Sequence, residues 1–269
     1  MKRTILLMVL FVGAAVVSAT EINYDSPGKW TNLLSRKKYQ PEAKEGGVLA
    51  VSGSRYIYSE PAVPVDQEKK YRITGSFRQA GSEPASIYFG LAFYDEKGRY
   101  FDLANSNAVP NSDTELTATA KKGDTTLKIK NGTGWQKFKG TVIALNTAPD
   151  YSDLPNFNLI RIPIQSVTEA GGVWIVTLSK PLPVDIPAGT ALRLHSPGGT
   201  FYAAANRKLR KRWLVFESTV LSGITRGRGI GDKGMFPRGT AAFRILIITR
   251  SGPKKENAVE FKDVKIIEE

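Results

Sequence analysis

Catalysis near neutral pH needs ionisable or nucleophilic side chains in mutual reach, and this chain offers few. It has no cysteine, which removes thiol catalysis and thiolate metal sites. Its one histidine, His195, leaves no His-rich metal centre, and a His and a Ser close together in a loop, as in His195-Ser196, make no oriented nucleophile. Asp95 and Glu96 lie in a turn and diverge, and no second carboxylate can be placed opposite Asp150 and Asp153. Elimination beside a uronate stays open, because Arg, Lys and Tyr can abstract that proton without histidine or metal. The expectation is a binding protein and not an enzyme, with a uronate lyase as an alternative.

Binding chemistry is better supplied. Flat aromatic rings can present their π faces to the C–H face of a sugar, and the candidates are Tyr88, Tyr94, Tyr100 and Trp135. Guanidinium forks suit carboxylates and sulfates, and Arg226 and Arg228 sit in a glycine-rich loop that follows the basic run Arg207 to Arg212. Gly229 to Gly234 fits the dinucleotide fingerprint G-x-G-x-x-G, but Met235-Phe236-Pro237 follows it and no helix opens there to receive a pyrophosphate.

These residues must be positioned by strands. Apolar residues come in short, often alternating runs separated by Gly, Pro, Asn, Asp and Ser, with no long helical periodicity. Tyr71, Ile73 and Phe77 share one face of a strand. Next, Ile87, Phe89, Leu91 and Phe93 share a face, which puts Tyr88, Gly90, Ala92 and Tyr94 on the opposite one. Asp95 to Gly98 closes a hairpin onto Arg99-Tyr100-Phe101. Trp213 to Leu221 reads as one long strand, and Ala241 to Thr249 as a strand buried on both sides. Val259 to Ile267 changes phase near Lys262-Asp263, which predicts a bulge. Residues 115–196 read as a self-contained set of short strands and tight turns.

The flanking parts resemble the galactose-binding-like jelly-roll domains, a superfamily that includes many carbohydrate-binding modules. The residues that carry the resemblance are Tyr58 to Val65, Lys70 to Phe77, Gly90 to Gly98, Trp213, Phe236 to Thr240, and Phe261 to Ile266. The middle segment is similar to short β modules of phage-tail-type and bacterial surface proteins. The resemblance implies an all-β jelly-roll β-sandwich, split into 20–114 and 197–269 by a small β-barrel-like insertion at 115–196. It also implies a glycan ligand, and for the insertion a protein partner. It further implies a structural calcium at Asp263, with Asn23, Asp25 and Glu60 as helpers if the first strand lies along the last.

Residues 1–19 read as a secretory signal: Lys2 and Arg3, an apolar run from Ile5 to Val17, then Val17-Ser18-Ala19. The expected location is secreted, periplasmic or cell-surface, with no membrane span once the signal is cleaved. The charge balance is 0 over 20–114, +3 over 115–196 and +8 over 197–269, within a chain of net charge +13. A basic third of that kind attracts polyanions, and export favours an acidic glycan over nucleic acid. The composite expectation is an exported, non-catalytic, carbohydrate-binding-like protein. Its alternative outside the lyase is an envelope or appendage component that contacts a protein partner.

Overall fold

The computed structural model describes residues 19–32, 39–135, 139–197, 201–227 and 234–269. The protein is all-β. One seven-stranded sheet, here the first sheet, runs in the order Leu214–Glu217, Lys70–Gln79, Val259–Glu268, Val48–Val51, Glu42–Lys44. Thr20–Asn23 pairs with the far end of Val259–Glu268, and Leu221–Ser222 with Lys70–Gln79. The second sheet, also seven-stranded, runs Tyr202–Lys208, Ser86–Tyr94, Ala242–Arg250, Arg55–Ser59, Trp30–Thr31. Every named pairing in both sheets is antiparallel.

The period-2 patterns put the core where the alternation predicts. Tyr71, Ile73, Phe77, Phe261 and Ile266 from the first sheet share one buried cluster with Ile87, Phe89, Phe93, Phe243 and Ile245 from the second. Rings meet across the interface: Phe77 and Phe89 lie 4.9 Å apart between centroids, and Tyr71 and Phe243 lie 5.2 Å apart edge to face.

The predicted hairpin is present, with Gly98 at φ +70° and Tyr100 paired to Tyr94. So is the bulge. The register of Val259–Glu268 against its neighbour shifts between Lys262 and Lys265, with Asp263 at φ +53°. That extra residue is why Val259 and Phe261 point inward before it and Val264 and Ile266 after it. The long strand expected over Trp213 to Leu221 is instead two short ones. The Ser218 hydroxyl accepts from the Ile73 N–H and donates to the Thr219 carbonyl, so a side chain takes over the ladder there.

The residues between the two halves form a four-stranded sheet (Thr114–Glu115, Ala191–His195, Val142–Leu145, Leu159–Ile160) and a three-stranded one (Thr126–Ile129, Val173–Leu178, Ile164–Ala170). They close around their own core, which includes Leu127, Ile129, Trp135, Ile143, Val176 and Leu194. The bridge between Ala108 and His195 shows that this pairing begins before residue 115. No helix among the described residues is long and apolar enough to cross a membrane.

Candidate ligand-binding face

An exposed sheet face in a sandwich is ordinarily polar, and the second sheet departs from that rule. On the side away from the core, Tyr58, Ala92, Tyr94, Leu246 and Ile248 form a second buried cluster, with Tyr88, Tyr202 and Ala242 packed against it. The cross-strand register assembles it. Tyr202, Gly90, Leu246 and Tyr58 stand in one row, and Tyr88, Ile248 and Tyr56 stand in the next. Further along come Ala92 beside Arg244, then Tyr100, Tyr94 and Ala242.

Local sequence explains the relief of this face. Along Ser86–Tyr94 the outward positions read Tyr88, Gly90, Ala92, Tyr94, so two small residues lie between two large rings. A Cβ on Gly90 would come within 2.4 Å of both the Phe201 carbonyl oxygen and Tyr202 Cδ1, so the Tyr202 ring lies directly over the glycine. Its centroid is 5.2 Å from that of Tyr88, and Tyr94 and Tyr100 lie 6.0 Å apart. A cavity of about 210 Å³ opens beside Tyr100 and Tyr202, lined also by Ala92 and Leu246 of this face and by core-side residues such as Phe93 and Phe201; Tyr88 and Tyr94 do not line it. Tyr56 and Tyr100 keep 42% and 45% of their surface exposed, enough to present a ring to a ligand.

Electrostatics mark the same surface. Burial pushes the Tyr58 phenol up to about 12, and the nearby Tyr94, Tyr56 and Tyr202 phenols add to the shift. Burial likewise holds Tyr94 at about 12, against the opposing pull of Arg244, and raises Tyr100 and Tyr202. Arg244 lies over the Tyr94 ring at 5.4 Å and donates from Nη1 to the Ser59 carbonyl and to Glu60 Oε1. Its Nε and the Tyr94 hydroxyl are both buried with no hydrogen-bond partner among the described residues. Two unpartnered polar atoms beneath one aromatic face are a local defect in the packing.

Three of the six candidates therefore share one face: Tyr88, Tyr94 and Tyr100. Trp135, expected among the ligand-binding rings, does not join them. It is 0% exposed in the core of the middle segment, and its indole N–H donates to the Ser112 carbonyl at 2.8 Å, so neither face is open to a ligand. Arg226 is exposed in its loop, where its carbonyl accepts from Arg238 Nη1, and none of its contacts reach the tyrosines. Arg228 and most of the glycine-rich run lie outside the described residues. Tyr56, Tyr58, Tyr202 and Arg244 were missed. The signal was present in Tyr56-Ile57-Tyr58, where Ile57 belongs to the core and its neighbours must face away.

The other candidates have structural employment. Asp263 accepts from the Ser76 hydroxyl at 3.4 Å, while Glu60 is held by Arg244 on the opposite sheet. Among the described residues, no group of three or more His, Cys, Asp or Glu is placed to hold a metal ion. Asp95 accepts from the backbone N–H groups of Lys97 and Arg99 and from Arg99 Nε, so the larger cleft beside it, about 640 Å³, is lined by a turn carboxylate already spent.

His195 is fully buried, and burial drives its pKa down to about 4, with the Arg193 charge pushing the same way. The neutral ring donates from Nδ1 to the Ala104 carbonyl at 2.7 Å and accepts at Nε2 from Arg193 Nε at 3.1 Å. Arg193, itself buried, also grips Asp153 through Nη2. This lattice ties the middle segment to the helical turn Leu103–Ser106 and leaves His195 no role as a base. No protein-family model matches the chain, and no curated protein matches it.

Proposed function

We propose that this protein binds glycan chains along the tyrosine face of its second sheet, as an exported, non-catalytic recognition protein of the carbohydrate-binding-module kind. The observation that carries the reading is the placement of six tyrosines, Tyr56, Tyr58, Tyr88, Tyr94, Tyr100 and Tyr202, around small and aliphatic residues on an outward sheet face. A tyrosine ring covers apolar C–H surface with its face and bonds hydroxyls with its edge, which is the mixed character that a sugar presents. An apolar patch rimmed by polar groups on an otherwise polar protein is a common mark of a binding surface. The Tyr94 hydroxyl and Arg244 Nε lie buried beneath it without partners among the described residues, so they can bond a ligand only if the rings above them shift.

Native affinity electrophoresis in gels containing neutral and acidic polysaccharides tests this. Retardation by at least one polymer is expected, with Tyr100→Ala and Tyr56→Ala each weakening it about tenfold, or about 1.4 kcal/mol. Retardation that both variants leave unchanged would sink the assignment to this face. No retardation in any gel would shift the reading to a protein partner.

A further inference from the structure

The tyrosine face ends in a row of a different character. Lys208, Ser86 and Arg250 occupy matched positions on three adjacent strands, one step of two residues beyond Tyr88 and Ile248. They line a depression of about 370 Å³ together with Ser54, Pro84 and Ser251. The Arg250 guanidinium lies 5.0 Å over the Tyr88 ring, so the last aromatic platform and the first cation are in contact.

Neither Arg250 nor Lys208 forms an ion pair among the described residues, and nor do Arg207, Arg210, Lys211 or Arg212. Glu83, which approaches Gly252, pairs with neither of the two pocket cations. Most cations on the first sheet, by contrast, are matched to carboxylates (Lys44 and Arg78 to Glu260, Arg72 to Glu217 and Glu269, Lys265 to Glu21), Lys70 being an exception. A fork-shaped donor, an ammonium and neighbouring hydroxyls converging without a carboxylate suit a carboxylate or sulfate oxygen set.

We infer that the aromatic face terminates in an anion subsite built on Arg250 and Lys208, so that its ligand is a glycan carrying carboxylate or sulfate groups. This rests on the glycan reading above and adds charge and direction to it. From the Tyr94 row to the Arg250 row is eight residues of strand, about 27 Å at 3.4 Å per residue. A linear chain thus lies with neutral rings on the tyrosines and an acidic group at the Arg250 end. Arg226 has no part in it.

The test compares dextran sulfate with dextran, and polygalacturonate with its methyl-esterified form, in affinity gels at low and moderate salt. The variants are Lys208→Ala with Arg250→Ala, the charge-matched pair Lys211→Ala with Arg212→Ala, Arg250→Gln, and Tyr100→Ala. Arg250→Gln keeps a long side chain over Tyr88, which guards against misfolding as the cause of any loss. The expected result is preference for the charged member of a pair, lost about tenfold or more in the pocket variants and less than twofold in the charge-matched control. Equal losses in the two double variants would mean diffuse attraction and overturn the subsite. Binding that depends on Tyr100 but ignores ligand charge would overturn it while leaving the glycan reading intact. No binding to any polymer would remove both.

Discussion

The two outward faces of the sandwich solve the same problem in opposite ways. The first sheet covers itself with charge. Glu260, nearly buried, accepts from Lys44 and Arg78, Arg72 joins Glu217 and Glu269, and Lys265 meets Glu21. Trp213, just before Leu214–Glu217, is already occupied, with Arg78 at 4.5 Å and Lys262 at 5.2 Å. The second sheet covers itself with rings, leaves two polar atoms unpartnered, and keeps its cations free at one end. Among the described residues, orphaned donors do not by themselves separate the faces, because Arg72 Nε on the first sheet is also buried without a partner. The difference lies in the exposed Tyr56 and Tyr100 rings and in the unpaired Lys208 and Arg250. The contrast therefore points to the second sheet without any appeal to resemblance.

The largest separation between the faces is expected in alkali. Tyr58 and Tyr94 titrate near 12 in the folded protein, against an ordinary 10.0. Between those values the folded chain holds protons that the unfolded chain releases, so stability is intact below pH 10 and falls as pH rises toward 12. Urea midpoints measured across this window should drop, and Tyr58→Phe should flatten the drop. An unchanged slope in that variant would mean that the ring stack does not bury its phenols.

Gly90→Val comes next. The new side chain would collide with the Phe201 carbonyl and the Tyr202 ring, and displacing both should cost about 3 kcal/mol. The control on the other face is Val215→Thr, 68% exposed, which should stay within about 0.5 kcal/mol. Urea unfolding of both would show whether the second face is packed or merely covered. A loss below about 1 kcal/mol for Gly90→Val would break the contrast.

Much of this was legible beforehand, for a physical reason. Strand alternation has a period of two, so once Ile87, Phe89, Leu91 and Phe93 are assigned to the core, Tyr88 and Tyr94 must face outward together. Asp263 was readable as a bulge because the apolar phase flips around it. What could not be read was which strands become neighbours. Tyr202 and Tyr58 lie 144 positions apart and meet only through the pairings of Ser86–Tyr94 and Ala242–Arg250. Trp135 was misplaced for a similar reason: a tryptophan after Gly134 looks like a loop residue until strands on both sides close over it.

On the charged face, Glu260→Gln should cost about 2 kcal/mol, since a neutral amide cannot hold both Lys44 and Arg78 as tightly. Burial by itself would raise the Glu260 pKa, but hydrogen bonds from those two cations outweigh it and hold the carboxyl below its ordinary 4.5. A depressed folded pKa gives stability that is present above 4.5 and is lost as pH falls through the folded value. The variant should thus show a shallower acid slope than the parent while its alkaline behaviour is unchanged. A change at the alkaline end instead would mean that the two faces are coupled through the core.

The smallest effect discriminates best between the two kinds of face. Tyr94→Phe removes a buried hydroxyl that has no partner, and the desolvation it relieves should leave stability equal or higher by about 1 kcal/mol. On the first sheet the comparable deletion is Glu260→Gln, which weakens two bonds at once and offers no such gain. If the orphaned hydroxyl is kept for a ligand, the same variant should bind glycan several-fold more weakly while unfolding later, a trade of stability against recognition. Chemical denaturation and affinity electrophoresis on one preparation measure both. A variant that is more stable and binds unchanged would show the hydroxyl to be idle, and the recognition would then rest on ring faces and on Arg250 alone.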